Sequence, residues 1–398
     1  MDFFVRQIGM YFPALPSWIA DAIWYLIVSA ILLTFFALFA GPVSWLERRI
    51  AGRIMSRIGP NRVGPQGVIQ WLADGLKNWL KEDLIPDSAD RLLFRFAPYP
   101  VFVGVAMTLV TIPFSSLLIG ADLNVGLLYI VGAWGLVVIG LLAAGWSSNN
   151  KWSLLGGMRS AAQMVSYEIP IVLSFLVVVL SSGTLSLQGI IRAQGASPLK
   201  WFVFSQPFAA IAFVIFLIAA VAEGNRTPFD IPEAESELVA GYNTEYSGMR
   251  FLFFFFAEWG NLYVVGALAA ALFLGGWQIP AGLHGWAAGK WFALPHIIEL
   301  AVFQAKAWIW VFLIIHIRWT LPRLRVDQLM RVSWLYLTPF AFASLIGTAV
   351  WMLLFPAGIL LVSLALAGAA ALFIFYFIRR VLWHMRFTKS RFDLNPII

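Results

Sequence analysis

Five ionisable side chains lie inside or at the ends of long apolar segments, and their types suit proton exchange. They are Glu168, Glu223, Glu258, Glu299 and Lys306. A charge in the hydrocarbon core of a membrane is costly, so such residues usually face a polar interior. Glu223 and Glu299 also fit a plain helix-end position, whereas Glu168 and Lys306 fit it poorly. Acids on three consecutive segments therefore predict a buried polar path.

A second group of acids occupies residues 223–250, where two arginines, Arg226 and Arg250, accompany six carboxylates. The carboxylates are Glu223, Asp230, Glu233, Glu235, Glu237 and Glu245. Part of the group has a local cause, because Asp230-Ile-Pro-Glu233 predicts a helix N-cap with a first-turn proline and a capping acid. Glu233 and Glu237 are four residues apart, where like charges on one helix face repel. The remaining acids predict either proton exchange or contact with a basic partner.

The longest polar segment, residues 46–95, predicts a helix that lies on the membrane surface. It opens with Leu46-Glu47-Arg48-Arg49 and continues through a Gly- and Pro-rich turn at residues 59–65. Over Gly67–Leu84, apolar and polar residues then fall on opposite helical faces. The apolar face comprises Ile69, Leu72, Leu76, Trp79 and Leu80, and the polar face comprises Gln70, Asp74, Lys77 and Lys81. Plain anchoring is the commoner role of such helices, but Arg57 and Arg62 beside the turn also suit a docking surface.

The elements that must position these residues are membrane-spanning helices. Of the 398 residues, 61% are hydrophobic and 12% are charged, against roughly a quarter charged in soluble domains. Apolar runs of about twenty residues match the hydrocarbon thickness of a bilayer. We predict an all-α polytopic membrane protein, one integral membrane domain over residues 1–398, with nine transmembrane helices and an amphipathic surface helix between the first and second. The predicted spans are Ala20–Trp45, Ala97–Ile119, Val125–Trp146, Ala161–Gly183, Gln206–Glu223, Phe251–Leu274, His296–Ile317, Leu335–Phe355 and Ala357–Phe377.

The net charge of +7 has a topological explanation. Alternate loops place 22 of the 27 lysines and arginines on one side, in residues 46–95, 147–160, 224–250, 318–334 and 378–398. The positive-inside rule then predicts an N-terminus outside and a C-terminus in the cytoplasm. We expect Ala20–Trp45 to be a permanent span, since its apolar run is too long for a signal peptide. The basicity therefore does not predict a nucleic-acid partner.

The residue inventory argues against a redox centre in this chain. Without cysteine, the chain has no thiolate ligands for an iron–sulfur cluster and no disulfide. Of its four histidines, His296 and His316 fall at opposite ends of one predicted span, roughly 30 Å apart, which does not suit a bis-histidine haem. No G-x-x-x-x-G-K-[ST] motif occurs. We expect no bound metal, haem or iron–sulfur cluster, and electrons from another polypeptide.

Several strings resemble one family at its own spacing. The matching strings lie at residues 46–49, 59–65, 73–74 with Lys77, 81–82, 153–159, 166–168, 222–230, 233–246, 257–258 and 322–330. They identify the chain as similar to the H subunit of bacterial NADH:quinone oxidoreductase (respiratory complex I), equivalent to mitochondrial NADH dehydrogenase subunit 1. The resemblance covers about residues 20–350. A ninth span with a basic tail over residues 351–398, and Val326 where many members have an aromatic residue, depart from the family pattern.

The resemblance implies a membrane subunit of a proton-pumping NADH:quinone oxidoreductase in the bacterial cytoplasmic (inner) membrane, which links quinone reduction to proton translocation and has no redox centre of its own. Its cytoplasmic loops would enclose a chamber for a quinone substrate, ubiquinone or menaquinone, completed by the iron–sulfur and quinone-site subunits of a peripheral arm. Small membrane subunits and antiporter-like pump subunits would be its other partners. The implied chamber and docking residues are Glu47, Arg48, Arg57, Asp74, Lys77, Arg159, Arg226, Arg318 and Arg325. The implied proton path comprises Glu168, Glu223, Asp230, Glu233, Glu235, Glu237, Glu245 and Glu258.

Two other functions compete with this interpretation. A homologous anchor subunit of a membrane-bound hydrogenase, or of a related oxidoreductase, would share the ancestry but usually fewer of these strings. A stand-alone secondary transporter would also carry buried charges, yet transporters often show paired broken helices, and this sequence shows no such pairing.

Overall fold

Helices make up most of the computed structural model, which describes residues 17–232, 235–279, 294–356 and 358–391. The helices are α1 (Ser17–Ile54), α2 (Gln70–Leu80), α3 (Arg91–Phe96), α4 (Pro98–Thr111), α5 (Gly126–Ser147), α6 (Lys151–Ser182), α7 (Leu187–Gln194), α8 (Phe202–Ser205), α9 (Pro207–Glu223), α10 (Glu235–Leu238), α11 (Gly248–Phe273), α12 (Leu294–Thr320), α13 (Val326–Arg331), α14 (Thr338–Leu354) and α15 (Leu360–Arg391). A π-helical turn, Val332–Leu337, joins α13 to α14. These ranges contain no strand, and the all-α prediction is confirmed.

Seven helices within the described ranges are long and apolar enough to cross a membrane. They coincide with seven of the predicted spans, and the polytopic prediction is confirmed. The predicted fifth span corresponds to the shorter apolar helix α9. The predicted ninth span corresponds to the apolar part of α15, Leu360–Phe373, which is likewise shorter than the seven spanning helices.

The second span differs from its predicted boundaries. The sequence predicts a span that runs to Ile119, but α4 ends at Thr111. Ile112 has the extended conformation, with ψ of 119°, because the following Pro113 disfavours helical geometry in the residue before it. The chain then folds back, and Ala121 donates a backbone hydrogen bond to Val110 at 2.9 Å. The apolar residues after Pro113 therefore form a return loop.

Small residues allow the central helices to approach closely. A Cβ atom at Gly104 of α4 would lie 2.8 Å from the carbonyl oxygen of Ala133 on α5, and one at Gly140 of α5 would lie 2.5 Å from the Val101 side chain. Close approach at small residues is the usual way in which membrane helices pack. Around this pair, α6 contacts α5, α9 and α14, whereas α11 contacts α4, α12 and α1.

The surface helix α2 lies against α1 and α11. The sequence predicts a helix over Gly67–Leu84, and the observed helix is shorter at both ends. Leu72, Leu76, Trp79 and Leu80 on its predicted apolar face are exposed in the isolated chain. An amphipathic helix whose apolar face is not covered by protein is expected to lie on a bilayer surface.

Candidate functional site

Polar side chains join four loops at one end of the helix bundle. Each contact involves the segment of residues 224–250, which follows α9. The contacts are Arg250 Nη2 to Asp83 Oδ2 at 2.9 Å, Asn150 Nδ2 to Glu245 Oε1 at 2.7 Å, Arg159 Nη1 to Glu237 Oε2 at 2.8 Å, and Arg323 Nη2 to Asp230 Oδ2 at 3.3 Å. The joined loops lie within residues 46–95, 147–160, 224–250 and 318–334, which the charge count assigns to one side of the membrane.

Four charged side chains form a buried cluster at the same end of the bundle. Glu47 Oε1 accepts hydrogen bonds from Arg226 Nη1 at 3.1 Å and from Arg318 Nη1 at 2.5 Å. Glu258 Oε1 lies 2.9 Å from Arg226 Nε and 3.5 Å from Arg318 Nη1. Each arginine therefore contacts both carboxylates, and the two positive charges balance the two negative charges.

Four separate elements supply this charged cluster. Glu47 comes from α1, Glu258 from α11, Arg318 from the last turn of α12, and Arg226 from the turn after α9. The Arg226 side chain is only 3% exposed. A buried charge without a partner is strongly destabilising, so the cluster fixes these four helix ends relative to one another. Family motifs divide the four residues between a chamber and a proton path, whereas the structure brings them together.

A cavity of about 400 Å³ lies beside the cluster, between α1, α2 and α11. Its volume falls in the usual range of small-molecule sites, about 300–1,000 Å³. Most of its lining is apolar or aromatic, and its polar edge is formed by Arg48, which pairs with Asp74. Gln70 Nε2 donates to the same carboxylate at 3.0 Å. The lining residues are Ala40, Gly41, Ser44, Arg48, Trp71, Leu72, Asp74, Gly75, Leu76, Asn78, Trp79, Met249, Phe251, Leu252, Phe255, Phe256 and Trp259.

The side chain of Trp259 connects this cavity to the charged cluster. Its ring lines the cavity, and its Nε1 donates to Glu47 Oε2 at 3.3 Å. The consecutive residues Glu47 and Arg48 also link the two regions, because Glu47 belongs to the cluster and Arg48 to the cavity edge. A polar group at this end of the cavity would therefore lie one side chain away from the cluster.

Several lining residues were not predicted from the sequence. Gly41 matters because a Cβ atom there would lie 2.4 Å from the ring of Trp71, so glycine lets α2 approach α1. Phe251, Phe255 and Trp259 recur every four residues along α11, and this helical spacing was the available signal for an aromatic face. A run of aromatic residues in a membrane helix usually indicates a lipid-facing surface or a packed core, so the signal is weak by itself.

Glu223 lies deeper in the bundle and faces a second, smaller cavity. It is only 2% exposed, and it lines a cavity of about 30 Å³ together with Glu258 and Asn261. Glu168 on α6 interacts with it electrostatically. Gln163, also on α6, donates to the carbonyl oxygens of Ala222 and Phe229 and holds the turn around Glu223 in place. Glu168, Glu223 and Glu258 thus lie on three adjacent helices.

Two other predicted residues of the polar path lie near the opposite end of the bundle. Glu299 precedes Arg318 by nineteen positions in α12, about 28 Å along the helix axis. It accepts hydrogen bonds from Ser116 N at 2.9 Å and Ser116 Oγ at 2.6 Å. Lys306 donates to the carbonyl oxygens of Leu274 and Gly276 at 2.7 and 2.8 Å. Glu299 is therefore satisfied far from the acids near the cluster, and Lys306 donates to backbone carbonyls.

The remaining predicted residues lie at the surface of the loop end or outside the described residues. Arg57 lines a cavity of about 230 Å³ with Arg49 and Arg53, whereas Lys77 and Arg325 are exposed. Glu233, which the sequence predicts as a capping acid, lies outside the described residues, as does the side chain of Glu235. Among the described residues, no group of three or more His, Asp or Glu could hold a metal ion.

Tyr246, in the loop before α11, is a packing residue. Its ring stacks on Phe94 with centroids 4.1 Å apart, and its hydroxyl donates to the Phe94 carbonyl at 3.2 Å. Burial raises the pKa of Tyr246 to about 12, so the phenol stays protonated at neutral pH. The hydroxyl therefore joins this loop to α3 through a hydrogen bond to the backbone.

Comparison with known proteins gives one consistent family. Residues 27–349 match the NADH dehydrogenase family. A protein of Anaeromyxobacter dehalogenans, named as the H subunit of NADH-quinone oxidoreductase, is 52% identical over 361 residues, covering 86% of this chain and 87% of the relative. Proteins of the same name from Chlorobium luteolum and Geobacillus kaustophilus are 47% and 48% identical over 83% and 84% of this chain, and these matches cover 90% and 96% of their own lengths.

Proposed function

Because this chain belongs to the family of the NADH-quinone oxidoreductase H subunits, we propose that it forms the quinone chamber of that enzyme and links quinone reduction to proton translocation. The chain is a membrane subunit of complex I, and the relatives do not favour a hydrogenase anchor subunit or a stand-alone transporter. The proposal concerns which part of the chain receives the quinone and which residues carry the coupling.

The cavity between α1, α2 and α11 carries this proposal. A quinone combines a long apolar tail with a polar ring, and the cavity combines an apolar, aromatic wall with the polar edge at Arg48 and Asp74. Its α2 wall has the exposed apolar face that suits a membrane surface, so a substrate dissolved in the bilayer has a short route into it. We assign the cavity to the passage of the quinone, either ubiquinone or menaquinone.

The charged cluster is the element that can respond to quinone reduction. Reduction adds two electrons and two protons to the ring, and charge changes briefly before the protons arrive. A change near Trp259 acts on Glu47, which shares Arg226 and Arg318 with Glu258. Glu258 and Glu223 line one small cavity, and Glu223 interacts with Glu168. These contacts support a path by which a change in the chamber alters the protonation of acids inside the bundle.

The loop end of the bundle is proposed as the docking face for the peripheral arm. Its surface displays Arg57 and Lys77 together with the ion pairs of Arg159 and Arg323. Iron–sulfur and quinone-site subunits would cover this face and close the chamber, while pump subunits would contact the bundle within the membrane. We place this face in the cytoplasm, the N-terminus outside and the C-terminus inside, in the bacterial inner membrane, on the distribution of positive charge.

The decisive experiment is photolabelling of the intact complex with a quinone analogue that carries a photoreactive group at the start of its tail. The proposal predicts labelled peptides from α2 and from the first turns of α11, with the label displaced by excess native quinone. Labelling confined to other helices of this chain, with normal competition, would overturn the assignment of the cavity. Electron transfer from NADH to a water-soluble artificial acceptor serves as the control, because it reports on the peripheral redox chain alone.

A further inference from the structure

The cavity beside Glu223 has the size and lining of a site for ordered water. Its volume is about 30 Å³, and a water needs about 10–15 Å³ of such space, so it accommodates about two waters. Its polar wall consists of Glu223, Asn225, Glu258 and Asn261. The remaining wall is mainly apolar and comes from α4, α5, α6 and α11, together with Gly224 and Tyr242. The four polar residues come from α9, from the turn after it and from α11, so water in this space would have polar partners on more than one element.

Two buried polar atoms of this wall have room for a further hydrogen bond. Glu223 is 2% exposed and Asn261 is 6% exposed. In the described part of the chain, no hydrogen-bond partner reaches Glu223 Oε2 or Asn261 Oδ1. Leaving such an atom without a hydrogen bond is unfavourable, and a bridging water removes most of that cost.

The two asparagines of the wall differ in whether their side-chain amides can form a further hydrogen bond. Asn225 Nδ2 donates to Ser160 Oγ at 3.2 Å, and its Oδ1 accepts from Gln163 Nε2 at 3.1 Å. Its amide is therefore committed to holding the turn after α9. Asn261 follows Glu258 by three residues on α11, which places both side chains on one helical face. Asn261 is accordingly the amide that can orient water between the two carboxylates.

We infer that this cavity holds water that joins Glu258 to Glu223, and that Asn261 is the positioning residue for it. The inference rests on the proposed function, because it specifies one step of the proposed acid path. A protonated carboxyl on one side gives its proton to the water, and the water gives a different proton to the carboxylate on the other side. One proton has then moved, and the water is restored. Because Glu258 also contacts Arg226 and Arg318, the charge of the cluster sets the direction of transfer.

The test uses the intact complex in proteoliposomes and two substitutions at one position. Asn261→Leu keeps the side-chain size and removes both polar atoms, whereas Asn261→Ser keeps a hydroxyl and leaves room for an additional water. We expect the assembled Asn261→Leu complex to lose about tenfold in quinone reduction and to show a larger solvent deuterium isotope effect. Asn261→Ser should stay within about twofold of the wild type. NADH oxidation by an artificial acceptor should be unchanged in both.

Two further measurements separate this inference from the proposed function. A high-resolution cryo-EM map of the wild-type complex must show water density between Glu223 and Asn261, and its absence overturns the inference whether or not the variants assemble. Glu223→Gln tests the acid path itself. Impaired Glu223→Gln with normal Asn261→Leu would remove the water site and keep the path. Normal turnover and normal proton stoichiometry in both variants would remove the path as well.

Discussion

The large cavity and the charged cluster lie side by side at one end of the bundle, but they differ in charge and in free space. The large cavity is almost entirely apolar and has room for a ligand, whereas the cluster of Glu47, Arg226, Glu258 and Arg318 is filled by charges that balance one another. The consecutive residues Glu47 and Arg48 belong to different regions, and Trp259 contacts both. A ligand can therefore enter or leave the cavity while the ion pairs of the cluster stay in place.

The difference between the two regions predicts which substitutions should affect the protein most. The cavity is a volume, so its function should depend on space and shape and should tolerate the loss of a single polar contact. The cluster is a closed set of four charges, so the loss of any one leaves a buried charge without its partner. Trp259 should show an intermediate sensitivity, because its ring belongs to the cavity and its N–H belongs to the cluster. The following four substitutions test this order.

The largest effect is expected for Arg226→Leu. It leaves Glu47 and Glu258 sharing one arginine in a buried site, and breaking a buried pair costs about 3–5 kcal/mol. We expect a marked loss of assembled complex, measured as subunit content after detergent extraction and as a lower thermal midpoint. Adding Glu47→Gln to Arg226→Leu restores the charge balance and should recover part of the assembly.

Arg91→Leu is the matched control for that substitution. Its pair with Asp87 lies at the same end but is exposed on both sides, and such pairs contribute roughly 0–1 kcal/mol. Assembly should therefore remain near normal. Full assembly and stability of Arg226→Leu, equal to this control, would show that the cluster does not hold the helix ends together.

The sequence predicted the charged residues of this region better than their arrangement. Glu47, Arg226, Glu258 and Arg318 were each identified by type and motif, but family position divided them between two sites. Their convergence depends on the turn after α9, where Gln163 fixes the backbone from another helix. A contact between residues so far apart in sequence leaves no periodic signal along the chain.

The cavity was harder to predict because its wall is made of ordinary apolar residues. Long apolar runs located α1 and α11, and apolar periodicity located the surface helix α2. The space between them depends on Gly41 and Trp71, whose close packing sets the distance from α2 to α1. The predicted end of α4 was also wrong, because the apolar residues continue past Pro113 whereas the helix ends at Thr111.

The second prediction concerns the space in the cavity. Gly75 lines it, and a Cβ atom at this position would meet nothing within 4 Å. Gly75→Trp should therefore fill the cavity without disturbing the fold, and it replaces a residue that weakens helices. We expect quinone reduction to fall by at least about tenfold, a loss of roughly 1.4 kcal/mol in transition-state stabilisation, in a fully assembled complex.

Gly132→Trp provides the matched control for a large side chain. Gly132 is an exposed residue of α5, and its Cβ position is likewise open. Quinone reduction should be unaffected there, and both variants should oxidise NADH normally with an artificial acceptor. Equal inhibition by the two tryptophans would show that bulk in the membrane, and not occupation of the cavity, is the cause.

The third prediction addresses the link between the regions. Trp259→Phe keeps an aromatic ring in the cavity wall and removes the N–H that donates to Glu47. The loss of one hydrogen bond to a charged group at this distance should cost about 1 kcal/mol, or roughly fivefold. We expect the loss in kcat for quinone reduction with little change in KM. Phe255→Leu, which alters only the cavity wall, should raise KM and leave kcat near normal, and the reverse pattern would contradict the assigned roles.

The smallest effect is expected for Asp74→Asn at the cavity edge. Asp74 pairs with Arg48, but both side chains are partly exposed, so the pair contributes at most about 1 kcal/mol. Asparagine can still accept a hydrogen bond from Arg48, and α2 remains held by Trp71 over Gly41 and by the bond from Trp45 Nε1 to the Gln66 carbonyl at 3.1 Å. We therefore expect unchanged assembly, an increase of about twofold to threefold in KM for the quinone, and a weaker salt dependence of that KM. Asp87→Asn, at the exposed pair with Arg91, should change none of these. A tenfold loss of turnover in Asp74→Asn would place an essential charge inside the cavity and would end the division between an apolar passage and a separate charged cluster.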